Sequence, residues 1–259
     1  EVDGGLGGTL MDAVLAVEQI SLVCPRSADV LHAGNFGPAR ALSEYGTPEQ
    51  KKKYLEPTLS GHGVVAIGMT EPDAGSALTE LKTTATPDGD GYRVNGTKVF
   101  TTYSMDATSV LAYVRFGPGI DGIGSVLIDI NAQGLTFGDT SKYMSGDLWR
   151  QLYFDELYVS PGDVLLKKGG FKKQISAFNA ERVGNSARAL AFASQQFYDS
   201  FDVIFRAVPN VFQKPLRNSL QQFMDIFNAV ISNEKAKGND VKIPKLKVSS
   251  ALDPHSKFS

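Results

Sequence analysis

The chain has one cysteine in 259 residues, Cys24. No disulfide can close within one copy, and such sparse use of cysteine fits a reducing compartment. Cys24 has no catalytic partner nearby in sequence and is expected to be a small buried hydrophobe. Three histidines, His32, His62 and His255, are scattered without metal-ligand spacing, so no metal site is expected. Neither sign of charge dominates: 26 basic side chains face 28 acidic ones, a formal net charge of −2. That balance supplies no basic field for nucleic acid or an anionic membrane surface. No apolar run approaches the roughly 20 residues of a membrane-spanning helix. No signal peptide is visible, although the first residue is Glu1 rather than Met, which reads as a fragment or a processed start. Internal repeats and low-complexity segments are missing too.

What is present reads as an ordinary globular chain, with 42% apolar and 21% charged residues. Its length allows one large domain or two to three small ones. The first third has a helical period. Thr9 is placed to cap a helix carrying Leu10, Val14, Leu15, Val17 and Ile20. A second helix fits Gly37 to Tyr45. A third starts at Thr47-Pro48-Glu49-Gln50, where Thr47 caps, Pro48 needs no N–H, and Gln50 reaches back to close a capping box. Lys51, Lys52 and Lys53 fall on its wet side.

After Gly63 the period changes. Val64 to Met69 is a short apolar run suited to a buried strand. Tyr92 to Asn95 and Gly96 to Thr102 read as two strands around a turn. Ser109 to Phe116, Ser125 to Ile130 and Gln151 to Val159 continue the β pattern, with turn signals at 87–91, 117–119 and 160–163. Helix returns after Gly169-Gly170. Phe171 to Phe201 places Ile175, Phe178, Arg182, Ala189 and Phe192 within reach of one face, and a further helix fits Leu216 to Ile231. Residues 233–259, with six Lys against three acidic residues, are expected to be loosely ordered. The expected architecture is α+β with three pieces: helical 1–63, β 64–166 and helical 167–259.

Three motifs carry chemistry. Gly68-Met69-Thr70-Glu71-Pro72-Asp73-Ala74-Gly75-Ser76 ends a strand in a Pro- and Gly-containing turn that exposes backbone amides and small hydroxyls. Asn95-Gly96-Thr97-Lys98-Val99-Phe100-Thr101-Thr102 follows at a fixed distance. Phe178-Asn179-Ala180-Glu181-Arg182-Val183-Gly184 lies on the later helix. Together they resemble the acyl-CoA dehydrogenase family, with its Thr-Glu-Pro-x-Ala-Gly-Ser signature, its Asn-Gly-x-Lys-x-(aromatic)-(Ile/Thr)-Thr strand and, in an isovaleryl-CoA-dehydrogenase-like subset, its Glu-Arg pair. The chain departs from the family at Ala77, where Asp is usual, at Phe100, often Trp, and at Tyr103, often Asn. The Gly4-Gly5-Leu6-Gly7-Gly8 run fails as a dinucleotide motif, because no strand precedes it and no βαβ unit follows.

The resemblance implies a family fold: a helical N-terminal part, a central antiparallel β-barrel-like domain and a truncated C-terminal helical bundle. It implies FAD as cofactor, with Met69, Thr70, Gly75, Ser76, Phe100 and Thr102 at the isoalloxazine ring. Ser76, Phe178, Asn179 and Arg182 are implied to meet an acyl-CoA substrate, and Glu181 to be the base that takes the α-proton while hydride leaves the β-carbon for flavin N5. An electron-transfer flavoprotein or similar acceptor and a homo-oligomer, dimer or tetramer, are implied as partners, in a bacterial cytoplasm or a mitochondrial matrix. A catalytically inactive remnant or partner and an acyl-CoA oxidase are the alternatives. The match runs to about Ser200. Beyond it, Arg206 to Pro215 keeps only a Phe-x-Lys-Pro remnant of the family's Arg-x-x-Phe-Gly-Lys-Pro segment, and ring contacts alone imply poor flavin affinity.

Overall fold

The structure, a computed structural model, describes residues 4–207. Of the Arg206–Pro215 segment only Arg206 and Ala207 are described, and the expectations for 216–231 and 233–259 lie outside the described residues. The chain divides into two units after Phe192, and the core and the candidate site lie within the first.

Helix α1 (Leu10–Ser21) opens on the Thr9 capping box, in which the Thr9 hydroxyl accepts from the Asp12 amide and the Asp12 carboxylate accepts from the Thr9 amide. Helix α2 (Pro25–Asn35) starts on a proline. The residue before that proline is kept out of the helix, and this explains a correction: Cys24 is exposed, not buried. Its sulfur accepts a hydrogen bond from the Ser27 hydroxyl at 3.1 Å. Helix α3 (Pro38–Tyr45) follows.

The helix expected after Thr47 forms in three consecutive stretches: α4 (Pro48–Gln50), a π turn (Lys51–Leu55) and α5 (Glu56–Leu59). The Thr47–Gln50 capping box is present. The Gln50 amide also donates to Gly162 and Val164 carbonyls, at 2.9 and 3.0 Å, and Tyr54 donates to Asp163 at 2.6 Å. A capping residue thus clamps the helix to the sheet.

The strands are β1 (Val65–Gly68), β2 (Thr84–Asp88), β3 (Gly91–Thr102), β4 (Ser109–Arg115), β5 (Ile123–Asp129), β6 (Leu135–Phe137), β7 (Ser141–Lys142), β8 (Leu148–Val159) and β9 (Val164–Leu166). They form one sheet in the order β6-β8-β3-β2-β4-β5-β9, with β1 added to β4 and β7 to β8. Most pairs are antiparallel; β1 and β2 meet β4 in parallel. The two strands expected over 92–102 are one. Gly96 does not turn the chain; at φ +150° it pairs with Phe154 beside a bulge in which Asp155 and Glu156 of β8 face Asn95, and a Cβ on Gly96 would lie 2.5 Å from Thr83 Oγ1.

β4 is buried on both faces, which explains its unbroken apolar run. Val110, Ala112 and Val114 join the sheet's inner core with Val94, Leu152 and Leu157. Leu111 packs under α3 beside Leu42 and Leu55, and Tyr113 packs with Leu81 and Ile123.

Helix α6 (Phe171–Ala207) returns across these elements. Among its residues whose burial is described, Gln174, Ala180, Gly184 and Ala191 are buried, whereas Arg182, Ala189 and Phe192 face solvent. The expected apolar face was therefore rotated: small residues, not the large ones, meet α1 and α2. A Cβ on Gly184 would lie 2.7 Å from His32 Cδ2. Gly184→Val should cost about 1–3 kcal/mol through this overpacking, read as a lower urea midpoint at unchanged slope. Wild-type stability in that variant would show that α2 yields freely. No helix among the described residues is long and apolar enough to cross a membrane.

Candidate active site

The turn after β1 folds back on itself. Glu71 and Ala74 exchange backbone hydrogen bonds at 3.1 and 3.2 Å, and the Val99 amide donates to Thr70 O at 2.8 Å. That last bond sets the turn beside the end of β3. Gly75 and Ser76 are exposed, Thr70 is half-buried, and no described residue accepts from the Gly75 or Ser76 amide.

At the end of β3 the pairing with β8 slips between Lys98 and Thr101. Phe100 there takes φ 57°, rare for a bulky side chain. The bulge re-aims its ring, which is 52% exposed, large for an aromatic side chain. The ring lies 4.7 Å from Trp149 and 6.4 Å from Tyr143. Thr102 Oγ1 is 3.4 Å from the Tyr143 hydroxyl. Thr70, Gly75, Ser76, Phe100 and Thr102 thus make a ledge of hydroxyls, unbonded amides and an open aromatic face. Such a ledge offers an apolar face and polar groups to a planar, polar-edged ring system.

Beneath the ledge lies a buried ion pair. Lys98 is fully buried, and its Nζ donates to Glu71 Oε1 at 2.7 Å and to Met69 O at 3.3 Å. The Glu71 carboxylate also accepts from the amides of Lys82 and Thr83. Burial works to raise the Glu71 pKa, but the Lys98 charge and these donors outweigh it and hold the carboxylate below its usual range. Burial pushes the Lys98 ammonium down, against the pull of Glu71. Motif residues Glu71 and Lys98 therefore brace the turn from below. Sequence reasoning gave Lys98 no role.

The second part is a narrow cleft where α6 crosses β1, β4 and the α2–α3 junction. Phe36, Ala41, Ile67, Leu111, Tyr113 and Phe178 are among its lining, with Glu181 and Gln174 as polar members. Its free volume is about 10 Å³, room for about one water. Burial raises the Glu181 pKa, with the His32 and Arg182 charges opposing, and no described donor bonds its carboxylate. Its backbone carbonyl lies 3.1 Å from His32 Nε2. Tyr113 is buried, and burial, then the Glu181 charge, pushes its hydroxyl pKa well up. Its ring sits 6.3 Å from Phe178.

The residues expected from sequence fall into two groups. Met69, Thr70, Gly75, Ser76, Phe100 and Thr102 belong to the turn and ledge. Phe178 and Glu181 share the cleft, and Met69 packs in the cluster that holds Phe178 and Tyr113. Asn179 and Arg182 point away from the cleft to solvent, where the Arg182 guanidinium donates to Asn179 Oδ1 at 2.8 Å. Tyr113 and Gln174 were missed. Tyr113 sits in a strand that reads as plain core, and the only signal for Gln174 was a polar side chain on a helix face otherwise reserved for packing.

The profile described as "Acyl-CoA dehydrogenase, N-terminal domain" matches residues 1–62, and "Acyl-CoA dehydrogenase, middle domain" matches 66–157. The short-chain-specific acyl-CoA dehydrogenase of Clostridium acetobutylicum is 31% identical over 202 residues, 76% of this chain and 53% of that protein. Butyryl-CoA dehydrogenase from Megasphaera elsdenii superposes with a TM-score of 0.74 at 26% identity, over 90% of this chain and 65% of that one. A chain from the structure of the electron transferring flavoprotein of Acidaminococcus fermentans superposes at 0.79 with 28% identity, over 90% and 63%. The chain spans about half the length of its curated relative. With both domain profiles matched in order and the same fold in these solved structures, the chain belongs to the acyl-CoA dehydrogenase family.

Proposed function

We propose that the protein is an FAD-dependent acyl-CoA dehydrogenase in which Glu181 is the base. The observation that carries this reading is a carboxylate without a hydrogen-bond donor, its pKa raised by burial, in an apolar cleft. A general base works best with a pKa drawn towards the working pH. When bound, FAD supplies the acceptor for the hydride that leaves the substrate β-carbon. Glu181 takes the α-proton. Phe178, Ile67 and Leu111 keep water from the reacting carbons, and Phe178 must shift to admit an acyl chain to so tight a cleft. On this reading Thr70, Ser76 and Thr102 offer hydrogen bonds to the ring edge, and Ser76 also meets the thioester. Arg182 and Asn179, exposed beside the cleft, meet the CoA portion.

An electron-transfer flavoprotein is the proposed acceptor, supported by the likeness to a chain from such a structure. Exposed apolar side chains on α1 and α6, among them Met11, Leu15, Leu190 and Phe192, support a homo-oligomer.

The test is anaerobic addition of butyryl-CoA to the FAD-reconstituted protein. Bleaching of the oxidised flavin band is expected, and an unchanged spectrum at saturating thioester would refute the reading. Phe100→Ala should weaken FAD about tenfold, roughly 1.5 kcal/mol, by removing the stacking face. Quenching of Trp149 fluorescence on FAD titration reads this directly, since Trp149 touches Phe100. Equal affinity in the variant would move the ring off the ledge.

A further inference from the structure

Gln174 is 1% exposed, and neither its Oε1 nor its Nε2 meets a hydrogen-bond partner among the described residues. Buried amides are nearly always paired, because an unpaired one loses its water and gains nothing in return. A leucine or methionine would fill the same space without that penalty. Most of the cleft around Gln174 is hydrocarbon: Phe36, Ala41, Ile67, Leu111 and Phe178. The amide therefore has no evident work in holding the fold.

Its place on α6 says what the work is. Gln174, Phe178 and Glu181 stand at i, i+4 and i+7, so they share one face of the helix, and all three line the cleft. The seven-residue offset puts the Gln174 and Glu181 backbone positions about 10 Å apart along the helix. A ligand atom bonded to the amide sits far from the reacting carbons, towards the distal end of an acyl chain. No Lys or Arg lines the cleft, and Glu181 does. An anionic group there would be unpaired and repelled. An amide both donates and accepts, which suits a neutral hydroxyl.

We propose that Gln174 determines specificity, and that the acyl group taken by this site carries a neutral hydroxyl near its ω end, bonded by the Gln174 amide. The proposal rests on the acyl-CoA dehydrogenase reading of the cleft. It concerns which acyl chain is bound, while that reading concerns what is done to it.

The experiment compares hexanoyl-CoA with ω-hydroxyhexanoyl-CoA on the FAD-supplemented protein. Calorimetry measures binding, and anaerobic flavin bleaching measures reaction. The wild type should bind the hydroxy thioester at least about tenfold more tightly, since the plain chain leaves the amide buried and unpaired. Gln174→Leu should reverse the order. Equal binding of the two thioesters by the wild type, or an unchanged preference in the variant, overturns the proposal even if both bleach the flavin. A clear preference without bleaching supports Gln174 and refutes the dehydrogenase reading. Binding of neither thioester overturns both. The melting temperature gives a check independent of ligand. It should hold or rise in Gln174→Leu, and a fall of more than a few degrees would mean that the amide has a structural partner, against the proposal.

Discussion

Glu181→Gln should slow flavin reduction by acyl-CoA about 10²–10⁴-fold, the range for loss of a general base. Glutamine keeps the shape of the side chain and removes its basicity. The cleft around it should persist, because the buried contacts of this helical turn come from Ala180 and Gly184 against α1 and α2. Thioester binding, measured by calorimetry, should therefore survive. The pH profile adds a second signature. Burial raises the Glu181 pKa above the ordinary carboxylate value. The active form is the deprotonated one, so reduction should fall as pH drops through that raised value and level off above it. In the Gln variant the acid limb should vanish. Undiminished reduction in Glu181→Gln would transfer the base to another residue.

Lys98→Met should be the most destabilising of these substitutions, at about 3–5 kcal/mol, the cost of leaving a buried charge without its partner. Glu71 would keep the Lys82 and Thr83 amides but lose its contact with the Lys98 ammonium. Glu71→Gln should carry a cost of the same order, because it leaves the fully buried Lys98 ammonium without its counter-charge. Urea unfolding followed by circular dichroism measures both, and a Lys98→Met midpoint equal to wild type would show the pair to be dispensable. FAD binding should weaken along with stability, since Met69 O and Glu71 both hang on Lys98 at the base of the ledge. The sign of the pH dependence follows from Glu71. Its folded pKa lies below the unfolded value, about 4.3. The stabilisation is complete above that unfolded value and is lost as pH falls through the folded one. Wild type should lose stability in acid more steeply than Lys98→Met, whose Glu71 keeps the amide bonds but lacks the Lys98 charge that favours its ionised form.

Much of this was legible in the chain itself. The Thr9 and Thr47 caps, the apolar run of β4, the helix after Gly170 and the three motifs are local signals. Each depends on neighbours within a few residues, so spacing alone carries them. The family fold followed from motif order. Positions set by partners distant in sequence were not legible. Cys24 looked like core and lies outside, because what decides its exposure is the start of α2 at Pro25. Gly96 looked like a turn and lies within one strand, because pairing with β8 carries the strand straight on and Thr83 leaves no room for a side chain there. The large residues of α6 looked like its packing face, yet α1 and α2 approach so closely at His32 that only Gly184 and Ala180 fit between them. Local periodicity thus determined which segments are helix and which are strand, and where the chemical motifs fall. Only tertiary packing decided that Lys98 is sealed under the Thr70–Ser76 turn, that Phe100 is turned outward, and that Glu181 shares a water-poor cleft with an unpaired Gln174. The physical reason is that desolvation and steric fit belong to surfaces assembled from β1, β3, β4 and α6 together, and no single stretch of sequence contains them.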